Sequence, residues 1–399
     1  MMNIEQIRAQ FPALARRGPS GAPLVYLDSA ATSLKPQPVI DKIAYALGNQ
    51  TGAVHRSVHF LGDEATAIYE DARQRVAWHI GAESHEVVFV RNTTEALNVV
   101  AGGWRDCRRS VVSLTDHHSS ILPWRGEITR LAPRADGTVD LDALEQSLDR
   151  GGVDVVCLSH VSNVTGAEID APAVAERVHA AGAIFVLDAA QSLPHRALDV
   201  ADLDCDFMAF SGHKMCGPGG IGVLYGKSDC LDRLQPVLVG GGMVDSVSAE
   251  GYSPMAVPWR FEAGTPAPEI AAGLAAAIDF LDDIGLEEIE AHQRLLTSHA
   301  LGVLRERLPH IPIVGPTDDS RVGAICLQVP GESPHQLARS LSDGFSICAR
   351  SGFHCAEPLH RHLDVMATLR ISPYLYNTTD EIDLFVDAII KLHALSGAA

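Results

Sequence analysis

The stretch Asp206–Lys214, DFMAFSGHK, runs an apolar segment of strand length into Ser211, His213 and Lys214, and the glycine-rich GPGGIGVLYG (217–226) follows it. Such a run reads as a buried strand feeding a turn. The pattern recurs upstream in EVVFVRN (86–92), SVVSLTDHH (110–118), VDVVCLSHVSN (153–163) and AIFVLDAAQ (183–191), the last ending in Asp188 and Gln191. From Val87 onward these runs alternate with longer helical patterns, which predicts an α/β fold built on a mainly parallel sheet. In open sheets of this kind ligands gather beyond the carboxyl ends of the strands, so polar groups from separate runs are expected to converge on one crevice. TTEALNVVAGGW (93–104) opens a helix with Thr93, Thr94 and Glu95 as capping chemistry, and such a helix start can hold a phosphate.

Beyond Gly264 the text changes to two long helical patterns, 269–285 and 287–308, then a strand at VGAICLQVP (322–330), a helix at HQLARSLSDGF (335–345) and an amphipathic C-terminal helix capped near Thr379. These predict a smaller α+β domain. The expected division is 1–25 as an N-terminal segment packing on the smaller domain, 26–268 as the large domain and 269–399 as the smaller one.

Composition bounds the partners. In 399 residues, 31 basic side chains against 50 acidic ones give a formal net charge of −19, which repels nucleic acid and anionic membranes and directs attention to a small-molecule substrate. The opening residues carry Glu5 and Arg8 and no apolar run, so no secretory signal is expected, and no segment is apolar for long enough to span a bilayer. Eight cysteines with no CxxC pair fit reduced thiols in the cytoplasm.

One short stretch, SGFHCAEPLHRH (351–362), packs three histidines around Cys355. A structural zinc site would need further ligands from a second short knuckle, which is absent nearby, so no metal is expected; on this stretch alone the default for Cys355, as for the other seven cysteines, is a small apolar filler. Lys214, at a strand end beside a glycine-rich turn, is well placed to form a covalent bond through its amine, although a lysine there is unremarkable by itself. Asp188 closes an apolar run, where a carboxylate calls for a cationic or hydrogen-bonding partner; a protonated pyridine nitrogen would serve. Pyridoxal 5'-phosphate needs a lysine, a carboxylate, phosphate-binding hydroxyls and a flat group over its ring, and the chain offers each kind.

Together SGHKMCGPGGIGVLYGK around Lys214, LDAAQ (187–191), HVSNVTG (160–166), TTEALN (93–98), RFEAGTP (260–266) and RSGFHCAEP (350–358) resemble the cysteine desulfurases of the aminotransferase class V family, most of all the SUF-type (group II) branch. The motifs run in family order from about Tyr26 to the C-terminal helix. The resemblance implies a pyridoxal phosphate enzyme of fold type I, acting as a homodimer, that converts L-cysteine to L-alanine. Its sulfur would be carried as a persulfide and passed to an acceptor protein, with iron–sulfur cluster assembly as the expected destination.

Residue by residue, the resemblance implies that Lys214 carries the cofactor and then shuttles protons, that Asp188 pairs with the pyridinium, and that His117 stacks on the ring. Gln191 would reach the phenolic oxygen. Thr93, Thr94, Ser211 and His213 would hold the phosphate, with Thr265 reaching it from the neighbouring subunit. Arg370 would bind the substrate carboxylate, assisted by Asn163, with His55 and Arg350 near the mouth. Cys355 would be the nucleophile on a flexible loop, its thiolate favoured by Arg350, His354 and the histidines behind.

The chain departs from the branch at Phe353, where histidine is common, at Pro373, at Gly219 and Gly220, and at Ser120, where asparagine is common. None removes a catalytic group. Selenocysteine lyase, an elimination-type C–S lyase, a class V aminotransferase, or a catalytically silent dimeric scaffold for a sulfur-transfer partner stand as alternatives on the same scaffold.

Overall fold

The computed structural model describes residues 3–318 and 320–396; residues 1–2 and 397–399, at the ends of two expected domains, lie outside the described residues. In chain order the strands are β1 (Val25–Tyr26), β2 (Val87–Val90), β3 (Arg109–Ser113), β4 (Glu127–Leu131), β5 (Val155–Ser159), β6 (Ile184–Asp188), β7 (Phe207–Ser211), β8 (Gly222–Gly226), β9 (Val244–Val247), β10 (Tyr252–Pro254), β11 (Ile313–Val314), β12 (Ile325–Leu327), β13 (Ile347–Cys348), β14 (Arg350–Gly352) and β15 (Thr368–Ile371).

Seven of them form one sheet in the order β2-β8-β7-β6-β5-β3-β4. The ladder from β7 to β4 is parallel, as the alternation of apolar runs and helices predicts, while β8 runs antiparallel to both β7 and β2. β8 lies inside the glycine-rich stretch, where four glycines in GPGGIG mask five strand residues. The central strands are buried on both faces. Val156, Leu158, Phe185, Leu187, Met208 and Phe210 enter one core, and Val155, Cys157, Ile184, Val186, Phe207 and Ala209 enter the other. This two-residue alternation follows from the pleat, and burial of both faces makes the runs apolar throughout.

The order reverses at β3, with β4 on one side and β5, β6 and β7 on the other, which opens a crevice at the carboxyl ends. A second, antiparallel sheet, β11-β12-β15-β14, carries the C-terminal part of the chain, and β1 pairs with β13 beside it.

The helix Pro268–Ile284, expected to begin the smaller domain, packs differently. Its Ala271, Leu274, Ile278 and Leu281 enter the first core with Val39 of the Gln37–Asn49 helix and Tyr69 and Val76 of the Phe60–His79 helix. By packing, this helix thus belongs with the first core, which also takes in Ile289 and Tyr374 further along the chain. The N-terminal segment touches both this helix and the C-terminal part of the chain: Phe11 meets Phe280 and Tyr376 at ring-centroid distances of 5.6 and 4.8 Å, and Arg8 pairs with Glu381 at 2.8 Å.

Helix Thr93–Gly103 also begins one residue earlier than its capping chemistry suggests. Asn92 is the cap, accepting the Glu95 N–H at 3.0 Å, while the Glu95 carboxylate reaches back to the Arg91 N–H. Gly222 makes this junction possible. A Cβ there would lie 2.6 Å from Asn92 Cα and 2.7 Å from Phe210 O, both backbone atoms that cannot swing aside. Gly222→Ala is expected to destabilise the fold by about 1–3 kcal/mol, read as a lowered urea midpoint at unchanged slope.

Candidate active site

A cavity of about 190 Å³ opens at the carboxyl ends of β3, β5, β6 and β7 and is closed on the far side by β14 and β15. Every site residue expected from the sequence lines it except Thr265 and His55. Those two line a separate hollow of about 340 Å³ with Arg56, Val244 and Trp259. His55 there is bonded to Glu70 at 2.8 Å.

Asp188 ends β6, beside Ser159 of β5 in the ladder register. It is 5% exposed, and its two oxygens accept the Ser120 hydroxyl at 2.8 Å and the Ala190 N–H at 3.0 Å. Ser120, noted in the sequence only as a departure, thus orients this carboxylate. Gln191 is anchored by its Nε2 on Ala30 O at 2.9 Å, which leaves its carbonyl end for the cavity.

Lys214 follows β7 in a short turn, Gly212–Lys214. Burial lowers its pKa to about 8, against the pull of Asp188 in the other direction, so the neutral share of the amine is about a tenth at pH 7 and rises steeply just above. The turn is held from the other side of the cavity. The His213 carbonyl lies 3.0 Å from four donors: Ser33 N, Ser33 Oγ, Thr32 Oγ1 and Lys35 Nζ.

At the phosphate-like end, the Ser211 hydroxyl takes the Thr93 N–H at 2.8 Å and lies 2.7 Å from Thr93 Oγ1. Thr93 and Ser211 are therefore engaged with one another first. Thr94 Oγ1 lies 2.7 Å from Ser119 Oγ, which in turn lies 3.0 Å from His117 Nδ1. His117 Nδ1 also accepts the Ser119 N–H at 3.1 Å. Burial first, then Lys214, pushes the His117 pKa down to about 4, so the ring is neutral with its proton on Nε2.

The far wall carries two arginines. Arg370 is 2% exposed, donates to Asn163 O at 3.0 Å and to Asp28 Oδ1 at 3.1 Å, and keeps a buried Nε–H without a partner. Arg350 faces it across the β14–β15 ladder. Asn163 helps Arg370 with its backbone carbonyl; its side-chain amide donates instead to His354 O at 2.6 Å. Asp28 was not singled out from the sequence, where only its place just after β1 could have marked it.

Cys355 is exposed and is the only such cysteine among the described residues. Hydrogen bonds tie its loop to the neighbouring segments. Besides the Asn163 contact, His118 N donates to Cys355 O at 2.8 Å, and Glu357 N donates to His118 Nε2 at 3.2 Å. His354 and Cys355 both have left-handed backbones, at φ 52° and 59°, which side-chain-bearing residues adopt at a cost of about 1–3 kcal/mol each. His354 and His360 do not supply the expected positive field. Burial drives the His354 pKa down to about 2 and lowers that of His360, leaving Arg350, Arg370 and Lys214 as the cations around the thiol. No metal-binding cluster of three or more histidine, cysteine or acidic side chains occurs among the described residues.

The residues fit pyridoxal phosphate: a hydrogen-bonded carboxylate, a partly neutral lysine, a flat neutral imidazole, and a capped helix start with hydroxyls. Comparison with known proteins agrees. The aminotransferase class-V model matches residues 25–385. A probable cysteine desulfurase of Halalkalibacterium halodurans is 43% identical over 98% of both chains, and a cysteine desulfurase of Haloferax volcanii is 40% identical over 97% of this chain and 96% of its own. Among solved structures, the apo cysteine desulfurase of Thermococcus onnurineus superposes with a TM-score of 0.91 at 36% identity over 98% of both chains. The cysteine desulfurase CsdA of Escherichia coli, as its S-sulfonic acid, gives 0.88 at 36% identity over 99% of both. With the matched model spanning the large sheet, the crevice and the loop of Cys355, the chain belongs to the aminotransferase class V family.

Proposed function

We propose that this chain is a pyridoxal phosphate-dependent cysteine desulfurase, of the SUF-type branch, that converts L-cysteine to L-alanine and carries the sulfur on Cys355. One observation carries the reading: a single cavity is lined by an amine, a hydrogen-bonded carboxylate, a buried guanidinium and an exposed thiol. When bound, pyridoxal phosphate supplies the electron sink for the substrate α-carbon.

The chain does the rest. Asp188 would keep the ring nitrogen protonated, His117 would cover the ring, Gln191 would meet its oxygen, and Thr93, Thr94, Ser211 and His213 would surround the phosphate. Arg370 receives the substrate carboxylate on its free Nε edge, and Arg350 adds positive charge at the same wall. Lys214 moves the proton at the α-carbon. The Cys355 thiolate forms an S–S bond as the substrate C–S bond breaks, and that bond's electron pair stays with carbon and takes a proton on the way to alanine. An acceptor thiol then takes the persulfide sulfur.

The position of Thr265 and His55 outside the cavity supports a homodimer in which each subunit completes its neighbour's site. Large apolar side chains stand exposed at Val58, Phe60, Val247 and Tyr252, in the segments around that second hollow. No helix among the described residues is long and apolar enough to cross a membrane, and the unpaired cysteines support the cytoplasmic assignment. The acidic chain makes nucleic acid an unsuitable partner.

With L-cysteine and a reductant, the protein is expected to release alanine and sulfide in equal amounts, and Cys355→Ala to lose both by about 100-fold or more. Pyruvate and ammonia, or alanine release indifferent to Cys355, would establish a lyase instead. Capture of pyridoxal phosphate by cofactor-free protein, followed by absorbance, should accelerate as pH rises to about 8 and level off above, because only the neutral Lys214 amine reacts. If each site spans two subunits, co-expressing inactive Lys214→Ala and Thr265→Asp chains should restore about a quarter of wild-type activity, since half the dimers are mixed and each holds one intact site. No recovery would mean that Thr265 serves its own subunit's site, and a fully active Thr265→Asp chain would place it outside the site.

A further inference from the structure

We propose that Thr368 is a positioning residue for Cys355, its hydroxyl joining the buried imidazoles of His354 and His360 into one hydrogen-bonded relay that locks the nucleophile loop to the strand carrying Arg370. The inference rests on reading Cys355 as the nucleophile and adds what sets that residue's place.

Thr368 is fully buried on β15. Its Oγ1 lies 2.9 Å from His354 Nε2, 3.1 Å from His360 Nε2 and 3.4 Å from Gly352 O. His360 Nδ1 lies 3.0 Å from Ala356 O. A carbonyl only accepts, so His360 carries its proton on Nδ1. Burial keeps both rings neutral, and a neutral ring has one N–H. His360 Nε2 is therefore bare and, at 3.1 Å, takes the Thr368 hydroxyl proton in preference to Gly352 O, the weaker acceptor at 3.4 Å. With that proton spent, His354 Nε2 must be the donor to Thr368 Oγ1.

The relay thus runs from His354 through Thr368 and His360 to Ala356 O. It leaves the side chain of the residue before Cys355 and ends on the backbone of the residue after it. Both flanks of the thiol are tied to one hydroxyl, which holds two consecutive left-handed residues in place. Thr368 and Arg370 are two apart on β15 and share a face, so the same strand spaces the nucleophile from the guanidinium that receives the substrate carboxylate. Nothing in the relay is charged, so it orders the loop without adding to the field around the thiol.

The test compares Thr368→Val, which keeps the shape and removes the hydroxyl, with Thr368→Ser, which keeps the hydroxyl. In the valine variant, amide exchange across residues 353–362 of the cofactor-free protein should quicken about tenfold. Its kcat for L-cysteine should fall about 10- to 100-fold with KM within about twofold, because Arg370 is untouched. The serine variant should match wild type in both. Wild-type exchange and kcat in the valine variant would overturn the proposal, as would a serine variant as impaired as the valine one. If the valine chain does not fold, His360→Phe breaks the same relay at its other end, and unchanged exchange and kcat there would overturn it equally. The exchange measurement does not depend on the chemistry. A nucleophile reading that failed by the Cys355→Ala product test would therefore be told apart from a relay that failed.

Discussion

The register of the parallel ladder governs the rest of the molecule. Ser159 lies opposite Asp188, and Asp188 opposite Ala209, two residues before the end of β7. Because backbone hydrogen bonds fix that register, the first polar residue beyond each buried run arrives at the same edge of the sheet. A slip of one residue would turn Asp188 into a core and send an apolar side chain into the cavity. The two cores on either side of the sheet hold the register against such a slip, since each strand fills both.

Around that edge the protein spends hydrogen bonds on groups that do not themselves meet a ligand. Ser120 aims Asp188, and the segment from Thr32 to Lys35 holds the His213 carbonyl. Each fixes a backbone turn or side chain whose displacement by an ångström would misplace the reacting atoms. The second sheet supplies the opposite wall. Polar contacts join its side of the cavity to the first sheet's, Asn163 to His354, His118 to Cys355 and Arg370 to Asn163, beside a small apolar cluster of Val164, Val314, Cys326, Ala356 and Leu359.

The charge pattern of the cavity opposes that of the whole chain. With a net charge of −19 overall, the cavity still gathers Lys214, Arg350 and Arg370 against Asp188, and Asp28 behind Arg370. The histidines are neutral there because burial disfavours their charged form. A substrate carboxylate and a cofactor phosphate would both find positive charge in this small cationic interior, within an acidic body that keeps polyanions away.

Local sequence determined the runs from 86 to 211 as strands, because burial on both sides leaves only apolar residues between polar ends, and it marked Lys214, Asp188, Arg370 and Cys355 by motif. It did not reveal β4, whose Glu127 and Arg130 are exposed on an edge strand, nor β8, whose glycines hide the strand signal, nor the packing of the Pro268–Ile284 helix, whose apolar face would suit either domain. Only the tertiary structure decided that Ser120 and Asp28 support the site, that His354 and His360 are neutral, and that hydrogen bonds tie the Cys355 loop to neighbouring segments. Those properties depend on burial and on partners hundreds of residues away along the chain, which no local pattern encodes.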